Sequence, residues 1–379
     1  MPEHRKMTTC FMNGKSCIYE RAIDERLERI RNGTADTRAF VIMPFNPHLD
    51  ALYQWQVVPF LRQGGGKKED TYKCDAVERA DDVRQIGYII CEKICRKIQE
   101  ASLVLVDLTY DNPNVFYELG ISVALNKPVL PFRLDLPDPQ RGENLKRYIG
   151  VSKTLDCPRF DILTGNVSDH LMETSPFVKF TGLSGTRLVV LHDGKQIQDV
   201  VRGQPLEYSF ANLCKSAAGT AIEQVFDRQN VERHRDLASY KDYKVYRQIV
   251  DCDLKNVDCS QVLTELGECY CALIDTSSTC PAAYFWLGFI HAKGGFAIPI
   301  NTVPSSTGGS EEESKSNEKN LPAFDIRALW HIYYEEGKPT ELAVSLKNIL
   351  EFVFVEKSVT VHGFWGSFGG FWSEICIMR

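Results

Sequence analysis

The stretch VDLTYDNPNVFYELGISVALNKPVLPF, residues 106–132, decides the fold that the sequence predicts. It begins inside a continuous apolar run, residues 102–109, which is typical of a strand buried on both faces. Asn112 then precedes a proline, which is the pattern of an N-cap followed by the first helical position, and a helix to about residue 126 is expected. PVLPF, residues 128–132, is the next strand. This order predicts two parallel strands joined by a right-handed crossover.

Segments nearer the start of the chain extend this unit. AFVIMPF, residues 39–45, predicts a first strand. In residues 83–100, isoleucines recur every four positions, which places one apolar stripe along a helix. A charged segment, residues 19–33, predicts a surface helix that ends at a glycine. We therefore expect a leader followed by a domain built on a parallel sheet.

A repeat of the first stretch lies 168 residues downstream. IDTSSTCPAAYFWLGFIHAKGGFAIPI, residues 274–300, aligns with residues 106–132 without a gap. The matched pairs are Asp107 and Asp275, Thr109 and Ser277, Pro113 and Pro281, Phe116 and Tyr284, Tyr117 and Phe285, Leu119-Gly120 and Leu287-Gly288, and Pro131 and Pro299. So many matches in one register indicate duplication of a whole domain. TRLVVLHD, residues 186–193, is the expected opening strand of the second copy.

The sequence thus predicts an α/β protein with two tandem Rossmann-like (flavodoxin-like) parallel-sheet domains related by internal duplication. The predicted boundaries are a leader and helix at residues 1–36, a first domain at 37–165, a second domain at 166–357 with a mobile insertion near 304–320, and an aromatic, glycine-rich tail at 358–379. A late strand within residues 324–337 and a helix at 339–354 complete the second domain. The aromatic side chains of the tail are expected to pack in a groove or between subunits, and we predict a homo-oligomer.

Composition excludes several classes of function. The formal net charge is -6, which gives no positively charged footprint for nucleic acid. No stretch reaches the length of a membrane span, and the start of the chain lacks the apolar segment of a secretory signal. The 13 cysteines do not show the paired spacing of a zinc site. We expect free thiols in a reducing cytoplasm, no metal, no membrane partner and no nucleic acid.

Hydrogen-bonding side chains follow the strand that ends near Asp107. In parallel sheets, ligands bind at the carboxyl ends of strands, where helix N-termini offer unpaired N–H groups. On the helix that follows, Glu118 shares a face with Asn114, Ile121 and Leu125, so a carboxylate projects from a mostly apolar face. The alternative is a surface glutamate near a helix start, stabilised by the helix dipole.

The first copy resembles the nucleoside 2-deoxyribosyltransferase-like and TIR-like superfamily. The resemblance is carried by VIMPF, residues 41–45, by ERADD, residues 78–82, and by DLTYDNPNVFYELGISVALNKPV, residues 107–129. It implies that Glu118 is the catalytic carboxylate, acting at the anomeric carbon of a nucleoside or of NAD. The transferases have an aspartate where this chain has Asn112, and this departure weighs against strict deoxyribosyl transfer.

With Glu118 as the catalytic residue, the predicted substrate-binding residues are Pro44, Phe45, Asp81, Asp82, Asp107, Thr109, Asn112, Asn114 and Tyr117. Asp81 or Asp82 is either a second carboxylate, a ligand for a sugar hydroxyl, or part of a solvated acidic turn. Phe45 and Tyr117 either sandwich a base or belong to the core. Glu118 is either a nucleophile that forms a glycosyl ester or a group that stabilises an oxocarbenium-like transition state.

The predicted activity is hydrolysis or transfer at the N-glycosidic bond of NAD or a related nucleotide or nucleoside, with no cofactor beyond that substrate. A nicotinamide leaving group needs no acid, because the pyridinium nitrogen leaves neutral, so a single carboxylate fits NAD well. The resemblance also implies a regulated effector, as in antiviral defence. The alternative is a non-catalytic sensor or scaffold that binds a nucleotide signal.

The second copy lacks the catalytic pattern. Trp286 stands at the position of Glu118, and Ala282 at that of Asn114. This copy is expected either to act as a scaffold or interface for the first, or to bind a nucleotide without turning it over. His192 and His291 are expected to be structural.

Overall fold

The computed structural model describes sixteen segments of the chain: residues 38–45, 47–63, 73–80, 90–110, 112–125, 127, 129–132, 187–194, 196–201, 204–225, 248–257, 259–277, 280–292, 295–303, 331–335 and 339–351. The chain divides into two compact units, Met1–Phe177 and Val178–Arg379, called unit 1 and unit 2 below. The predicted leader helix, the insertion near 304–320 and the tail lie outside the described residues. In the described part of the chain, no helix is both long enough and apolar enough to cross a bilayer.

Unit 1 contains a four-stranded parallel sheet in the order β2-β1-β3-β4. Its elements are β1 (Arg38–Ile42), α1 (Pro47–Leu52), a π-helical segment (Tyr53–Val57), α2 (Val58–Gln63), β2 (Ala76–Arg79), α3 (Ile90–Glu100), β3 (Leu103–Asp107), α4 (Pro113–Ala124) and β4 (Val129–Phe132). Residues from α1 to α2 pack on one face of the sheet, against Val41, Leu103 and Leu105. Helix α4 contacts β1 and β3, whose alternate residues point to the opposite face.

Unit 2 contains a five-stranded parallel sheet in the order β11-β10-β9-β5-β8 and a separate antiparallel hairpin, β6-β7. Its elements are β5 (Arg187–His192), β6 (Gln196–Val201), β7 (Gln204–Ser209), α5 (Phe210–Val225), β8 (Gln248–Asp253), α6 (Cys259–Gly267), β9 (Cys269–Asp275), α7 (Pro281–Ala292), β10 (Ala297–Val303), β11 (Ile332–Glu335) and α8 (Pro339–Glu351). Helices α5 and α8 share one core with the sheet, and α7 contacts β9 and β10.

The predicted α/β class with parallel sheets is confirmed for both units. The helix expected after Asn112 begins at Pro113 and ends at Ala124, and the strand expected before it is Leu103–Asp107. The strand expected at residues 39–45 is shorter than predicted and ends at Ile42. One reason is Pro44, which has no N–H to donate to a neighbouring strand. The opening and closing elements expected for the second copy are β5, β11 and α8.

Corresponding elements of the two units have the same order and spacing. Helices α4 and α7 both have 12 residues, and each begins six residues after the last residue of the preceding strand. Numbering the parallel strands within each unit by sequence gives the order 2-1-3-4 in unit 1 and 2-1-3-4-5 in unit 2. The two units therefore share the positions of their first four parallel strands.

Lys127, between α4 and β4, stabilises the connection between α3 and β3 in unit 1. Its ammonium donates to the carbonyl oxygens of Gln99 and Ala101, the latter at 2.8 Å. These carbonyls lie where α3 ends and β3 begins, and C-terminal helix carbonyls lack partners within the helix. The lysine of the NKPV segment thus has a structural role at the end of the sheet opposite to the predicted site.

Each unit has an ion pair between its second strand and a helix, and the positions of the positive and negative charges are reversed between the two units. Val41 pairs with Leu105 and with Arg79 in the unit 1 sheet, and Val190 pairs with Leu273 and with Asp251 in unit 2. Arg79 and Asp251 thus occupy equivalent strand positions. The Nη1 atom of Arg79 lies 2.8 Å from Oδ1 of Asp50 in α1, and the Nζ atom of Lys215 in α5 lies 2.7 Å from Oδ1 of Asp251. In both units the pair links the second strand to the helix that follows the first.

The surroundings of the two pairs differ. The Arg79 side chain is 5% exposed, and its guanidinium carbon lies 4.6 Å from the ring centroid of Tyr53 and 5.6 Å from that of Phe45. Lys215 and Asp251 are 35% and 42% exposed. Buried guanidinium groups over aromatic rings are worth more than exposed ion pairs, which contribute between zero and about 1 kcal/mol.

We predict that Arg79→Met lowers the free energy of unfolding by about 2 kcal/mol, because it removes two cation–π contacts of a buried guanidinium group together with its ion pair to Asp50, whose side chain is 44% exposed. Lys215→Met is the matched control and should cost less than about 1 kcal/mol. Urea denaturation followed by circular dichroism measures both changes. Equal losses for the two variants would contradict the prediction.

Candidate functional site

Several of the predicted site residues of unit 1 lie at one edge of its sheet, which is formed by the carboxyl ends of the strands. Pro44 and Phe45 follow β1, Asp107 ends β3, and Asn112 lies at the start of α4. Because β1 and β3 are paired neighbours, these segments lie side by side. Asp81 and Asp82 lie outside the described residues. The structure thus brings Pro44, Phe45, Asp107, Thr109 and Asn112 to the edge where ligands bind in parallel sheets, whereas Tyr117 and Glu118 lie further along, in the second turn of α4.

Asn112 is the N-cap of α4, as predicted. Its backbone is extended, with φ -89° and ψ 118°, and its Oδ1 accepts hydrogen bonds from the backbone N–H groups of Asn114 at 2.9 Å and Val115 at 3.4 Å. An asparagine can make these bonds as well as an aspartate can. Asparagine in place of aspartate at this position therefore leaves the helix start intact. The edge of the sheet has one negative charge fewer than it would have with aspartate.

Asp107 builds the turn that leads from β3 toward α4. Its Oδ1 accepts a hydrogen bond from the backbone N–H of Thr109 at 2.8 Å, and both residues are almost fully buried. In unit 2, Asp275 makes the same bond with the N–H of Ser277 at 3.0 Å. The bond is present both in unit 1, which has Glu118, and in unit 2, which has Trp286 at the equivalent position. Its structural role therefore accounts for Asp107 without a ligand.

The side chain of Asp107 also points away from α4. Leu103 and Leu105 pack with α1 and α2, and Asp107 is the next alternate residue of the strand. Its Oδ2 has no hydrogen-bond partner within the described ranges. Burial without a counter-charge raises the pKa of the Asp107 carboxyl to about 6.

Glu118 is not a surface residue. It lies in the second turn of α4 and is 7% exposed, and the described residues of α4 after it are buried as well. Its backbone carbonyl accepts a hydrogen bond from the hydroxyl of Ser122 at 2.8 Å. The alternative of a solvated surface glutamate is therefore wrong, because only 7% of the residue is exposed. Burying a carboxylate costs folding free energy. Asn114, one turn earlier, is partly buried.

The two aromatic candidates differ in exposure. Phe45 is 61% exposed, and the guanidinium group of Arg79 lies against one side of its ring. Tyr117 is 1% exposed. Phe45 can thus offer a ring face to a base as the molecule stands, whereas Tyr117 has the burial of a core residue. Pro44 is buried next to Phe45.

Sequence reasoning missed Arg79 and Tyr53, which support Phe45. Arg79 is part of the ERADD segment quoted for the resemblance, but a sequence pattern does not reveal which rings lie beside a guanidinium group. The signal that was present is an arginine inside a short strand, where burial demands an anionic or aromatic partner.

Unit 2 has no carboxylate at the position equivalent to Glu118. Trp286 is 2% exposed and packs edge-on against Phe285 and Phe289, with ring centroids 5.3 Å apart in both pairs. Cys280 replaces the Asn112 cap, and burial raises the pKa of its thiol to about 11, so it is not a reactive thiolate. Among the described residues, no three His, Cys, Asp or Glu side chains are grouped as metal ligands would be.

We predict that the contribution of Asp107 to the free energy of unfolding falls as the pH rises from about 4 to 6, because the folded state holds the Asp107 proton up to a pKa of about 6 while the unfolded chain releases it near 3.8. This pKa difference corresponds to roughly 3 kcal/mol at neutral pH. Asp107→Asn keeps the acceptor for Thr109 and removes the charge. Its stability relative to the parent should therefore rise between pH 4 and pH 7 in urea denaturation, and a constant difference would refute the assignment.

Comparison with known proteins does not place the chain in a family: no protein-family model, no curated protein and no solved structure matches it.

Proposed function

We propose that the protein cleaves the N-glycosidic bond of NAD or of a related nucleotide or nucleoside, with Glu118 acting at the anomeric carbon. The observation that supports this proposal is the burial of Glu118 in the second turn of a helix that begins at the carboxyl edge of a parallel sheet. A carboxylate in such a place interacts strongly with positive charge, because little water screens it. The developing oxocarbenium ion of a ribose is such a charge.

The chemistry balances with one carboxylate. The bond between C1′ of the ribose and the pyridinium nitrogen breaks, and its electron pair goes to the nitrogen, which leaves as neutral nicotinamide. C1′ then bonds either to an oxygen of Glu118, as an ester that water later hydrolyses, or directly to water. A purine leaving group would need a proton. Asp81 and Asp82, which lie outside the described residues, are the predicted candidates for supplying it.

Phe45 is the proposed contact for the base or ring of the substrate. It follows β1 at the same edge and has a largely exposed ring. The guanidinium group of Arg79 contacts the Phe45 ring. This contact restricts the ring before a ligand binds, which reduces the conformational entropy lost on binding. The first N–H groups of α4 are already used by Asn112, which accepts those of Asn114, Val115 and Phe116, so the proposal assigns them no ligand.

We further propose that both units are Rossmann-like domains of flavodoxin-like topology that arose by duplication. The strand order 2-1-3-4-5 of unit 2 is the flavodoxin-like order, and unit 1 has its first four members. The equal spacing of β3 and α4 and of β9 and α7, together with the shared turn at Asp107 and Asp275, supports a common origin.

The second candidate function is a protein that binds a nucleotide without cleaving it. Trp286 favours this role for unit 2, because a buried indole that packs edge-on against two phenylalanine rings cannot act on an anomeric carbon. A chain that combines a catalytic unit 1 with a unit 2 of scaffold or sensor type agrees with a regulated effector, such as those of antiviral defence, acting as a homo-oligomer in the cytoplasm. That biological role rests on the resemblance alone.

We predict that Glu118→Gln abolishes turnover while the protein remains folded, because glutamine keeps the shape but not the charge that the transition state requires. Loss of one such group costs about a hundredfold or more in rate. The assay is incubation with NAD and with deoxynucleosides, followed by chromatography for nicotinamide or free base. Glu100→Gln, at an exposed position of α3, is the matched control and should keep the parent rate. Release of base at the parent rate by folded Glu118→Gln would disprove the proposal.

We predict that Trp286→Glu gains no activity and is less stable than the parent. It would place a carboxylate at a buried position against the rings of Phe285 and Phe289, where it costs several kcal/mol. Thermal denaturation and the same chromatographic assay, run on a protein that also carries Glu118→Gln, measure both effects. Base release by that double variant would show that unit 2 can be catalytic and would contradict the prediction.

A further inference from the structure

The turn after the third parallel strand is held differently in the two units. In unit 2, both the backbone N–H and the hydroxyl of Thr276 donate to the carbonyl oxygen of Ile300 in β10, at 2.9 and 3.1 Å. The hydroxyl of Tyr284 in α7 donates to the carbonyl oxygen of Thr276 at 3.1 Å. Side-chain hydroxyls thus attach this turn to the neighbouring strand and to the following helix.

Unit 1 cannot make the two hydroxyl bonds. The gapless alignment of the units places Leu108 at the position of Thr276 and Phe116 at the position of Tyr284. Leucine and phenylalanine have no hydroxyl group. All four side chains are buried, so the positions differ in hydrogen-bonding capacity and not in burial. At this turn, unit 1 therefore has two hydrogen-bond donors fewer than unit 2.

The bonds that shape the unit 1 turn join residues that are close in sequence. Asp107 accepts hydrogen bonds from the backbone N–H and the side chain of Thr109. The N–H of Asn112 donates to the carbonyl oxygen of Tyr110 at 2.8 Å. Bonds of this short range fix the shape of a turn but move with it, whereas bonds to another strand and helix break when the turn moves. Local opening should therefore cost less free energy in unit 1.

A movement of this turn changes access to Glu118. The residue is only 7% exposed, so its carboxylate offers little surface to a ribose while the turn is in place. Asn112 is bonded to Tyr110 and caps α4, and Asn114 in the first turn of that helix lies on the same face as Glu118. Displacement of the turn therefore shifts the neighbour of Glu118 on the side of the sheet edge. Loops that open and close over a catalytic group are common in enzymes.

We propose that residues 108–110 of unit 1 form a gate, a turn that opens reversibly to admit a substrate to Glu118, and that the equivalent turn of unit 2 is locked. The passage of a substrate to Glu118 rests on the proposed function. The difference in opening between the two turns does not, because it follows from the two hydroxyl bonds alone.

Hydrogen exchange of the full-length protein measures the opening without a substrate. Mass spectrometry with fragmentation to single amides follows the N–H groups of Thr109 and Ser277, which donate to equivalent aspartates. Each exchange rate is divided by the rate in an unfolded chain and compared with a strand amide of the same unit, Leu105 in β3 or Leu273 in β9. On this scale we expect Thr109 to exchange about tenfold faster than Ser277.

Matched variants of unit 2 test the cause. Tyr284→Phe and Thr276→Val each remove one hydroxyl donor and keep the shape of the side chain. Each should accelerate exchange at Ser277 about fivefold, the effect of one hydrogen bond, and leave exchange at Leu273 unchanged. Unchanged exchange at Ser277 in both variants would overturn the lock. So would equal exchange at Thr109 and Ser277 in the parent.

The reverse change places the lock in unit 1. Leu108→Thr combined with Phe116→Tyr introduces both hydroxyls, and we expect slower exchange at Thr109 and a kcat/KM at least about tenfold lower. Tyr284→Phe is the control that should keep the parent kcat/KM. If the double variant does not fold, the two variants of unit 2 still decide whether the hydroxyls lock a turn.

The activity measurements separate the gate from the proposed function. A double variant with slowed exchange at Thr109 and the parent kcat/KM would overturn the gate and leave the proposed function intact. A parent protein that cleaves neither NAD nor nucleosides would overturn the proposed function and with it the passage of a substrate to Glu118. The exchange rates at Thr109 and Ser277 would still decide whether the two turns differ in opening.

Discussion

The turn held by the hydrogen bond from the N–H of Thr109 to Oδ1 of Asp107 is the constraint on which the unit 1 site depends. It ends β3 and directs the chain into the loop that Asn112 closes as the N-cap of α4. A shift in this turn would move the helix start and with it the position of Glu118. The same bond recurs at Asp275 in unit 2, where Trp286 stands at the position of Glu118, so the turn accompanies the strand-to-helix connection in both units.

The sequence predicted the parts of the fold that depend on local patterns. The apolar run of β3, the Asn-Pro cap of α4 and the repeat 168 residues later each reflect a rule that operates within a few turns or one strand. The placement of the candidate residues Asn112 and Glu118 was predictable to the same extent, since both belong to these elements. Contacts between distant segments were not predictable. The ion pair between Asp50 and Arg79 joins residues brought together only by the register of β1 and β2.

Burial inside α4 shows a second limit of sequence reasoning. A helix with one apolar stripe reveals which side faces the core, but the described residues of α4 from Val115 to Ala124 are all buried. Periodicity then cannot distinguish Tyr117, with 1% of its surface exposed, from a residue that lines a site. Asn301 in β10 is 1% exposed, and neither of its side-chain polar atoms has a hydrogen-bond partner within the described residues. It was missed for a related reason, because an asparagine in an apolar strand has the same sequence pattern whether or not it finds a partner.

The opposite polarity of the two equivalent ion pairs affects how a chain with two similar units can fold. Tandem domains with related sequences are prone to misassembly, in which a helix of one copy docks on the sheet of the other. If α1 docked beside β8, Asp50 would meet Asp251, and if α5 docked beside β2, Lys215 would meet the buried Arg79. Both wrong arrangements bring like charges together, so the reversed charges disfavour exchange of helices between the two units and select the correct pairing of each strand with its own helix.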